Sequence, residues 1–529
     1  MSTTLERPVE RAPLNEVRDW RFLGRSADFW LCAGMTALVL IVQGWNITGF
    51  PSLSDDEGTY MSQAWAIDHG IGMAPYTYWF DHPPLGWIQI SALSWLPALI
   101  FHAPGQLVVA YGRLVMLPYI MASSILVYVL SRRMELPKWA AALAVALFGL
   151  SPLAVTLQRE VFLDNIAVTW ILAALVLAYS PRKHLWHHVA AGFCGGIAVL
   201  SKETVLLAIP ALVVALWQNA HPDTRKYSYF GFLGAFLLLA IQYPLYATLK
   251  GELWASNNRV SLIGGIKYQF TRPGSGSILN PASNAHTVLQ NWLFYDPVII
   301  TAGVTAVILA LAFRQLRPIA IGGVVIALMA LRSTGYLPAM YIIQALPFFA
   351  IAIAGLASQL VTFLLRFKAR PILWQRATRL ALVAVCFAAA GFYFVPTWYR
   401  ADRDADTENV NVQYSQAAAW VTKNIPHPGN QRIVVDDSLW LNMVQDGFKA
   451  GHYDIYFFKL DLDPAVMKAL PGPKADKWKD VQWIVTTPYM VQNESSIPTL
   501  KALVDHSKLV KAFGPGGINN AIEVRKIVP

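Results

Sequence analysis

The chain has 529 residues, 55% of them hydrophobic and 14% charged, a balance that excludes an ordinary soluble protein of this length. The formal net charge is +10, but the cations sit in short patches between apolar runs, where orientation signals belong, which argues against a nucleic-acid partner. Three cysteines, Cys32, Cys194 and Cys386, lie singly in apolar segments, so neither a disulfide framework nor a thiolate metal site is supported.

Residues 1–28 carry mixed charge and read as a cytoplasmic segment. The apolar run that follows lacks a small-residue cleavage site, so it reads as a retained first span rather than a secretory signal. Ten further apolar runs follow, giving spans at roughly 29–47, 108–131, 138–155, 165–180, 186–201, 203–217, 228–248, 293–313, 318–333, 338–360 and 380–396, each long enough, or nearly so, to cross a hydrocarbon core. Five basic clusters, Arg132-Arg133, Arg182-Lys183, Arg225-Lys226, Arg314 with Arg317, and Arg366 through Arg379, all fall on the inner side if the N-terminus is inside. Leu85 to Phe101 is assigned to the membrane surface, because counting it as a span would turn every later cluster outward.

This topology brings three polar regions to the external face: residues 48–107, the turn around Gln158 to Asp164, and residues 249–292. The last includes a Pro/Gly/Ser/Asn-rich stretch from Arg272 to Asn284 and reads as a surface loop. After Trp398 the composition changes. Short apolar strands at Arg432 to Val435 and Gln482 to Val485 alternate with helix-sized segments, as in a small external α/β domain. The expected division is therefore 1–28 cytoplasmic, 29–397 transmembrane and catalytic, and 398–529 external.

The acids concentrate on that same face. Asp55-Asp56-Glu57 closely follows the first span, and Asp164 begins a later one. Acids at a helix start can simply complement the helix dipole, but acids at a membrane boundary also suit catalysis, metal binding or ion coupling. Ion coupling would make the chain a polytopic transporter or a flippase for a lipid-linked sugar. No Walker loop, Rossmann fingerprint or metalloprotease motif accompanies the acids.

Asp56-Glu57, followed by Phe80-Asp81-His82-Pro83-Pro84-Leu85-Gly86, resembles the first-loop pattern of the protein O-mannosyltransferase superfamily (glycosyltransferase family 39-like), which also contains the bacterial aminoarabinose transferases acting on lipid A. Arg159-Glu160-Val161-Phe162-Leu163-Asp164 resembles its second acidic motif, and Tyr336 to Pro347 is a weaker match to its late tyrosine- and proline-containing span. The resemblance implies a mainly α GT-C membrane fold of about 11 transmembrane helices, with interfacial helices in the first loop. It also implies a polyprenyl-phosphate-linked sugar as donor, with a cell-envelope glycan, a glycolipid or a protein as acceptor, at the external face of a bacterial cytoplasmic membrane.

On that carry-over Asp56 is the general base, Glu57 positions an acceptor, loop or cation, and Asp164 supports the base or helps hold a divalent ion. His82 stands where protein mannosyltransferases have histidine and the aminoarabinose branch has lysine; it contacts donor phosphate, ligates a metal or makes a structural hydrogen bond. Glu57, His82 and Asp164 are the expected ligands of a possible divalent metal ion. Lys202, which interrupts a long apolar region, either binds the donor phosphate or pairs with Glu203. Arg259 is a further phosphate candidate, and Arg159 either joins it or pairs with a loop carboxylate, Asp164 being the near one. The aromatics Trp65, Tyr76, Tyr78, Trp79 and Trp87 serve interfacial anchoring or sugar stacking.

Overall fold

The computed structural model describes residues 21–22, 24–77, 80, 82–99, 106–254, 261–365, 373–474 and 476–528. A two-residue ladder, β1 (Arg21–Phe22) with β2 (Arg25–Ser26), leads into α1 (Ala27–Gly44), whose first turn is capped by the Ser26 hydroxyl accepting from the Phe29 amide. The first loop then forms α2 (Asp55–Asp68), α3 (Leu85–Leu93) and α4 (Trp95–Ala98). Neither α3 nor α4 approaches the roughly 20 residues a helix needs to cross a bilayer; Phe101, the end of the segment expected at the membrane surface, lies outside the described residues. On α3, Trp87 and Ile90 are fully buried.

The helical body continues with α5 (Val108–Gly112), α6 (Leu117–Arg133), α7 (Lys138–Gly149), α8 (Pro152–Arg159), α9 (Leu163–Ala178), α10 (Leu185–Ser201), α11 (Ile209–Asn219), α12 (Arg225–Ala240) and α13 (Gln242–Leu249). After α14 (Leu262–Thr271) come α15 (Asn284–Tyr295), α16 (Pro297–Ala310), α17 (Arg317–Ala330), α18 (Tyr341–Leu365) and α19 (Leu373–Thr407). Among the described residues five helices are long and apolar enough to span a membrane, and two bent pairs, α7 with α8 at 59° and α15 with α16 at 106°, add two more if each is one span. Four other expected spans are apolar helices of 10–17 residues. The protein is thus a multi-pass membrane protein. Both bends fall at proline: Pro152 and Pro297 each open the second helix of a pair, where a missing amide costs no hydrogen bond, and Asp296 caps α16 by accepting from the Val298 and Ile299 amides.

Helix directions sort the ends of the bundle. The start of α9, the end of α10 and the start of α18 meet through Asp164, Lys202 and Gln344. The basic ends of α6 and α12 and the Arg182-Lys183 turn therefore lie at the opposite ends of their helices, as the charge pattern predicts. Close packing inside the bundle is set by small residues: a Cβ at Gly192 of α10 would lie 2.2 Å from the Phe232 carbonyl oxygen of α12, so only glycine permits this backbone approach.

The helix carrying the last span runs past residue 397 to Thr407, so the expected boundary at 397/398 falls within α19. Beyond it come α20 (Val412–Asn424), β3 (Ile433–Val435), α21 (Asp437–Gln445), β4 (Asp454–Tyr456), α22 (Pro464–Ala469), β5 (Trp483–Thr486), α23 (Pro488–Asn493), α24 (Pro498–Asp505), β6 (Ser507–Phe513) and β7 (Ile522–Ile527). The strands form one sheet in the order β4-β3-β5-β7-β6. Its β4-β3-β5 half is parallel and its β5-β7-β6 half antiparallel. Alternation places Val434, Ile455 and Ile484 in one apolar layer and Ile433, Val435, Val485 and Val524 in the other, as the pleat requires. The second layer is continuous with the core of the helical body.

Candidate active site

The site is organised by α2, whose period of 3.6 residues per turn sorts its side chains into three faces. Glu57, Met61 and Ala64 face the core. There Glu57, fully buried, accepts from Arg113 Nε at 2.8 Å and Nη2 at 2.7 Å, from the Val161 amide at 3.0 Å and from the Ser54 amide at 3.2 Å. Arg113 is itself fully buried and also donates to the carbonyls of Ile47, Pro51 and Ser52. A charged pair this far from water holds only when its remaining groups are bonded, as they are here. Glu57 therefore anchors the first loop and is turned into the core, with Arg113 as its buried partner.

The second face carries Asp55, Thr59 and Ser62, at i, i+4 and i+7, and each meets the C-terminal unit. Tyr489 Oη donates to Asp55 Oδ2 at 2.9 Å, Thr59 Oγ1 donates to Asp437 Oδ2 at 2.7 Å, and Ser62 Oγ is hydrogen-bonded to Tyr456 Oη. Gly58 lies in the same seam, where a Cβ would come within 2.3 Å of the Asp437 backbone. Burial, and then the neighbouring Asp436, hold the Asp437 carboxyl well above the usual carboxylate range.

The third face carries Asp56, Tyr60 and Gln63. Asp56 and Gln63 line a cavity of about 540 Å³ between α2, α14 and the C-terminal unit. Asp56 is partly exposed at this cavity. Burial and then Asp55 push its pKa up to about 6, against the opposing pull of Lys202 and His82. That poises the group near neutrality, as proton abstraction requires.

Behind Asp56 runs a charged chain. Glu203 takes His82 Nδ1 at 3.0 Å, His82 Nε2 lies 3.0 Å from Lys202 Nζ, and Lys202 Nζ stands 3.9 Å from Asp164 Oδ2. An ammonium only donates, so His82 Nε2 accepts and Nδ1 carries the proton that Glu203 receives. Gln344 Nε2 donates to Asp164 Oδ1 at 2.6 Å and to Thr204 Oγ1 at 2.5 Å, tying the start of α18 to the second acidic motif. Lys202 Nζ also lies 5.9 Å from the centre of the Tyr60 ring. Tyr243 Oη donates to the His82 carbonyl at 2.9 Å and holds the His-Pro-Pro turn against α13.

Asp56, His82, Lys202 and Asp164 thus come together. Arg159 does not join them: it is fully buried and donates to Asp406 Oδ1 and to the Val42 carbonyl, both at 2.6 Å. Arg159 pairs with a carboxylate, as one reading expected, but the partner is Asp406 rather than the nearby Asp164, a clamp from α8 to α19, because Arg159 ends α8 before the turn that reverses the chain into α9. The expectation for Lys202 also changes, since Glu203 is taken by His82. Arg259 and Asp81 lie outside the described residues. Among the described residues no three His, Cys, Asp or Glu side chains converge as a metal-ligand set; of the expected trio, Glu57 is saturated by Arg113 and backbone amides, and His82 has spent Nδ1 on Glu203. Among the described residues, then, Glu57, His82 and Asp164 do not come together as the expected ligand trio. The sequence named Glu203 only as a possible partner of Lys202 and did not single out Gln344, Asp437, Tyr489 or the cavity-lining Arg272, whose guanidinium stacks 3.8 Å from the Tyr336 ring centre. Of these only Glu203 carries a local signal, an acid inside an apolar run.

Residues 81–246 match the family model described as dolichyl-phosphate-mannose-protein mannosyltransferase. No curated protein matches the chain. Among solved structures, ArnT from Cupriavidus metallidurans bound to undecaprenyl phosphate is similar over 94% of this chain and 98% of its own, with a TM-score of 0.54 and 14% identity. The oligosaccharyltransferase of Archaeoglobus fulgidus is similar over 94% of this chain and 74% of its own, with a TM-score of 0.50 and 12% identity.

Proposed function

We propose that this chain, whose fold is that of the GT-C membrane glycosyltransferases, transfers a sugar from a polyprenyl-phosphate carrier to an acceptor hydroxyl with inversion at the anomeric carbon. The observation that carries the reading is the Asp56 carboxyl, held at a cavity surface beside the Lys202 and His82 pair and poised near pH 6. In the step, the acceptor oxygen bonds to the anomeric carbon as the bond from that carbon to the phosphate oxygen breaks. The hydroxyl proton passes to Asp56, and polyprenyl phosphate leaves with the electron pair. Phosphate is a good leaving group, so the need is for positive charge where its negative charge grows. Lys202 supplies it, with Arg272 as a second cation at the cavity.

Glu203 and His82 orient the Lys202 ammonium, and Asp164, fixed by Gln344, balances it. No step is assigned to a divalent ion. An apolar cavity of about 260 Å³ between α15, α16, α17 and α18, walled by Trp292, Val304, Val307 and Phe349, suits the first isoprenes of the carrier. Tyr341 at the start of α18 also lines it, one turn from the Gln344 that holds Asp164. With the carrier phosphate at Lys202, the reaction takes place on the external face, and the match to a polyprenyl-phosphate-bound relative accords with a bacterial cytoplasmic membrane.

The test is turnover of a panel of undecaprenyl-phosphate sugars by the purified full chain in lipid nanodiscs, followed by mass spectrometry of donor and product. Donor consumption by the wild type, and its loss in Asp56→Asn, is the expected result. Translocation of a lipid-linked sugar without any cleaved donor would overturn the assignment.

A further inference from the structure

The cavity that Asp56 faces is closed on its far side by the C-terminal unit, and that wall is aromatic. Ring centres follow one another from Tyr76 to Tyr456 at 4.8 Å, Tyr456 to Phe458 at 5.7 Å, Phe458 to Phe457 at 5.5 Å and Phe457 to Tyr489 at 5.8 Å. All five line the cavity. Tyr456 and Phe457 are buried as backing, while Phe458 is partly accessible and Tyr489 is 41% exposed. Hydrogen-bonding side chains share the lining: Gln63 from α2, and Asn493 and Ser496 from the C-terminal unit. The rings end where the chemistry begins, because the Tyr489 hydroxyl is bonded to Asp55, the neighbour of Asp56.

This lining discriminates between acceptor classes. An extended peptide gains affinity mainly by pairing its backbone with an open strand edge. The edge strand at this wall is β4, and the hydroxyl of Tyr76 has taken its place in the ladder, accepting from the Tyr456 amide at 3.0 Å and donating to the Asp454 carbonyl at 2.6 Å. What the wall offers instead is ring faces with amides, hydroxyls and the charged Lys459, Asp461 and Lys474 around them, which suit the apolar C–H faces and the hydroxyls of a sugar. Resting on the glycosyl-transfer reading, we propose that the cavity between α2 and the C-terminal sheet is the acceptor subsite and takes a saccharide, one ring stacked on Phe458 or Tyr489 with its attacking hydroxyl at Asp56.

Binding is measured without donor, by saturation-transfer NMR on the full chain in nanodiscs. The probes are a mannose tetrasaccharide, an arabinofuranose tetrasaccharide, a galactan tetrasaccharide and a serine- and threonine-containing decapeptide. At least one saccharide is expected to receive saturation and the peptide none. Phe458→Ala is expected to weaken that saccharide about tenfold, the scale of one lost ring contact, with Phe458→Trp restoring it, so that loss through misfolding is separated from loss of the ring. Saturation of the peptide alone, of no probe, or of a saccharide whose affinity Phe458→Ala leaves unchanged overturns the proposal. Donor hydrolysis by the wild type reports independently on the reaction: a chain that binds saccharides but consumes no donor overturns the function alone, and one that consumes donor but binds no saccharide overturns the acceptor assignment alone.

Discussion

Asp56 and Glu57 are adjacent in sequence and one hundred degrees apart on a helix, and that angle gives them different work. Asp56 faces the cavity with its pKa pushed up to about 6 by burial and Asp55. A base must be ionised, so kcat/KM for donor consumption should fall as pH drops through about 6 and level off above it. A profile flat from pH 5 to 8 would remove Asp56 from that role. Asp56→Asn should lower the rate by about 10²–10⁴-fold, the usual contribution of a positioned base. Glu57 faces Arg113 in the core, so its substitution is a stability experiment. Arg113→Met leaves a buried carboxylate with only backbone amides and should cost about 3–5 kcal/mol of stability. The double change Glu57→Gln with Arg113→Met should recover most of it, and the thermal midpoint in detergent reads both. A double variant as unstable as the single one would mean the pair is not an isolated unit.

At the scale of the element, α2 joins the membrane body to the C-terminal sheet. Its Asp55, Thr59 and Ser62 each have one partner across the seam, and Gly58 lets the two backbones touch. Gly58→Ala inserts a methyl group 2.3 Å from the Asp437 backbone, a separation that forces α2 and α21 apart. Donor consumption should drop in this variant by more than the loss of stability explains, since Asp56 moves with the helix, and comparison of turnover per folded molecule with the thermal midpoint separates the two effects. The seven-residue edge strand β6, exposed along most of its length, has no such role in the seam.

For the whole molecule, the C-terminal unit is both a wall of the cavity and a seat for the catalytic helix. Removing residues 408–529 should therefore abolish donor hydrolysis along with transfer, because the deletion strips three hydrogen bonds from α2 and exposes the apolar layer shared with the helical body. Hydrolysis that survives the deletion would show that α2 keeps its place without the sheet. The same logic makes point substitution at Phe458 a sharper probe of the acceptor than truncation. If Lys202 and Arg272 supply the positive charge, as proposed, turnover should be unaffected by chelation and metal add-back; loss on chelation, restored by a divalent ion, would assign that charge to a metal instead.

The run of apolar segments, the basic clusters between them and the two acidic motifs were enough to read a multi-pass membrane protein with a reaction site on one face. These are local signals: a span declares itself by length and hydropathy, and orientation by neighbouring charge. The same locality explains why the triplet Asp55-Asp56-Glu57 and Lys202 stood out, though the choice of Asp56 within the triplet came from the family resemblance, and why the alternation at Arg432 to Val435 announced a strand. Partnership was decided only by the tertiary structure. Arg159 pairs with Asp406 across 247 residues of chain, His82 with Glu203 across 121, and Asp55 with Tyr489 across 434. A charge buried in a helical bundle takes whichever opposite group the packing brings within about 3 Å, because leaving it unpaired in low dielectric is far costlier than any local preference. Which acid of the first loop is buried against Arg113 and which lines the cavity was decided in the same way, by the helical period of α2 and by what packs against each of its faces.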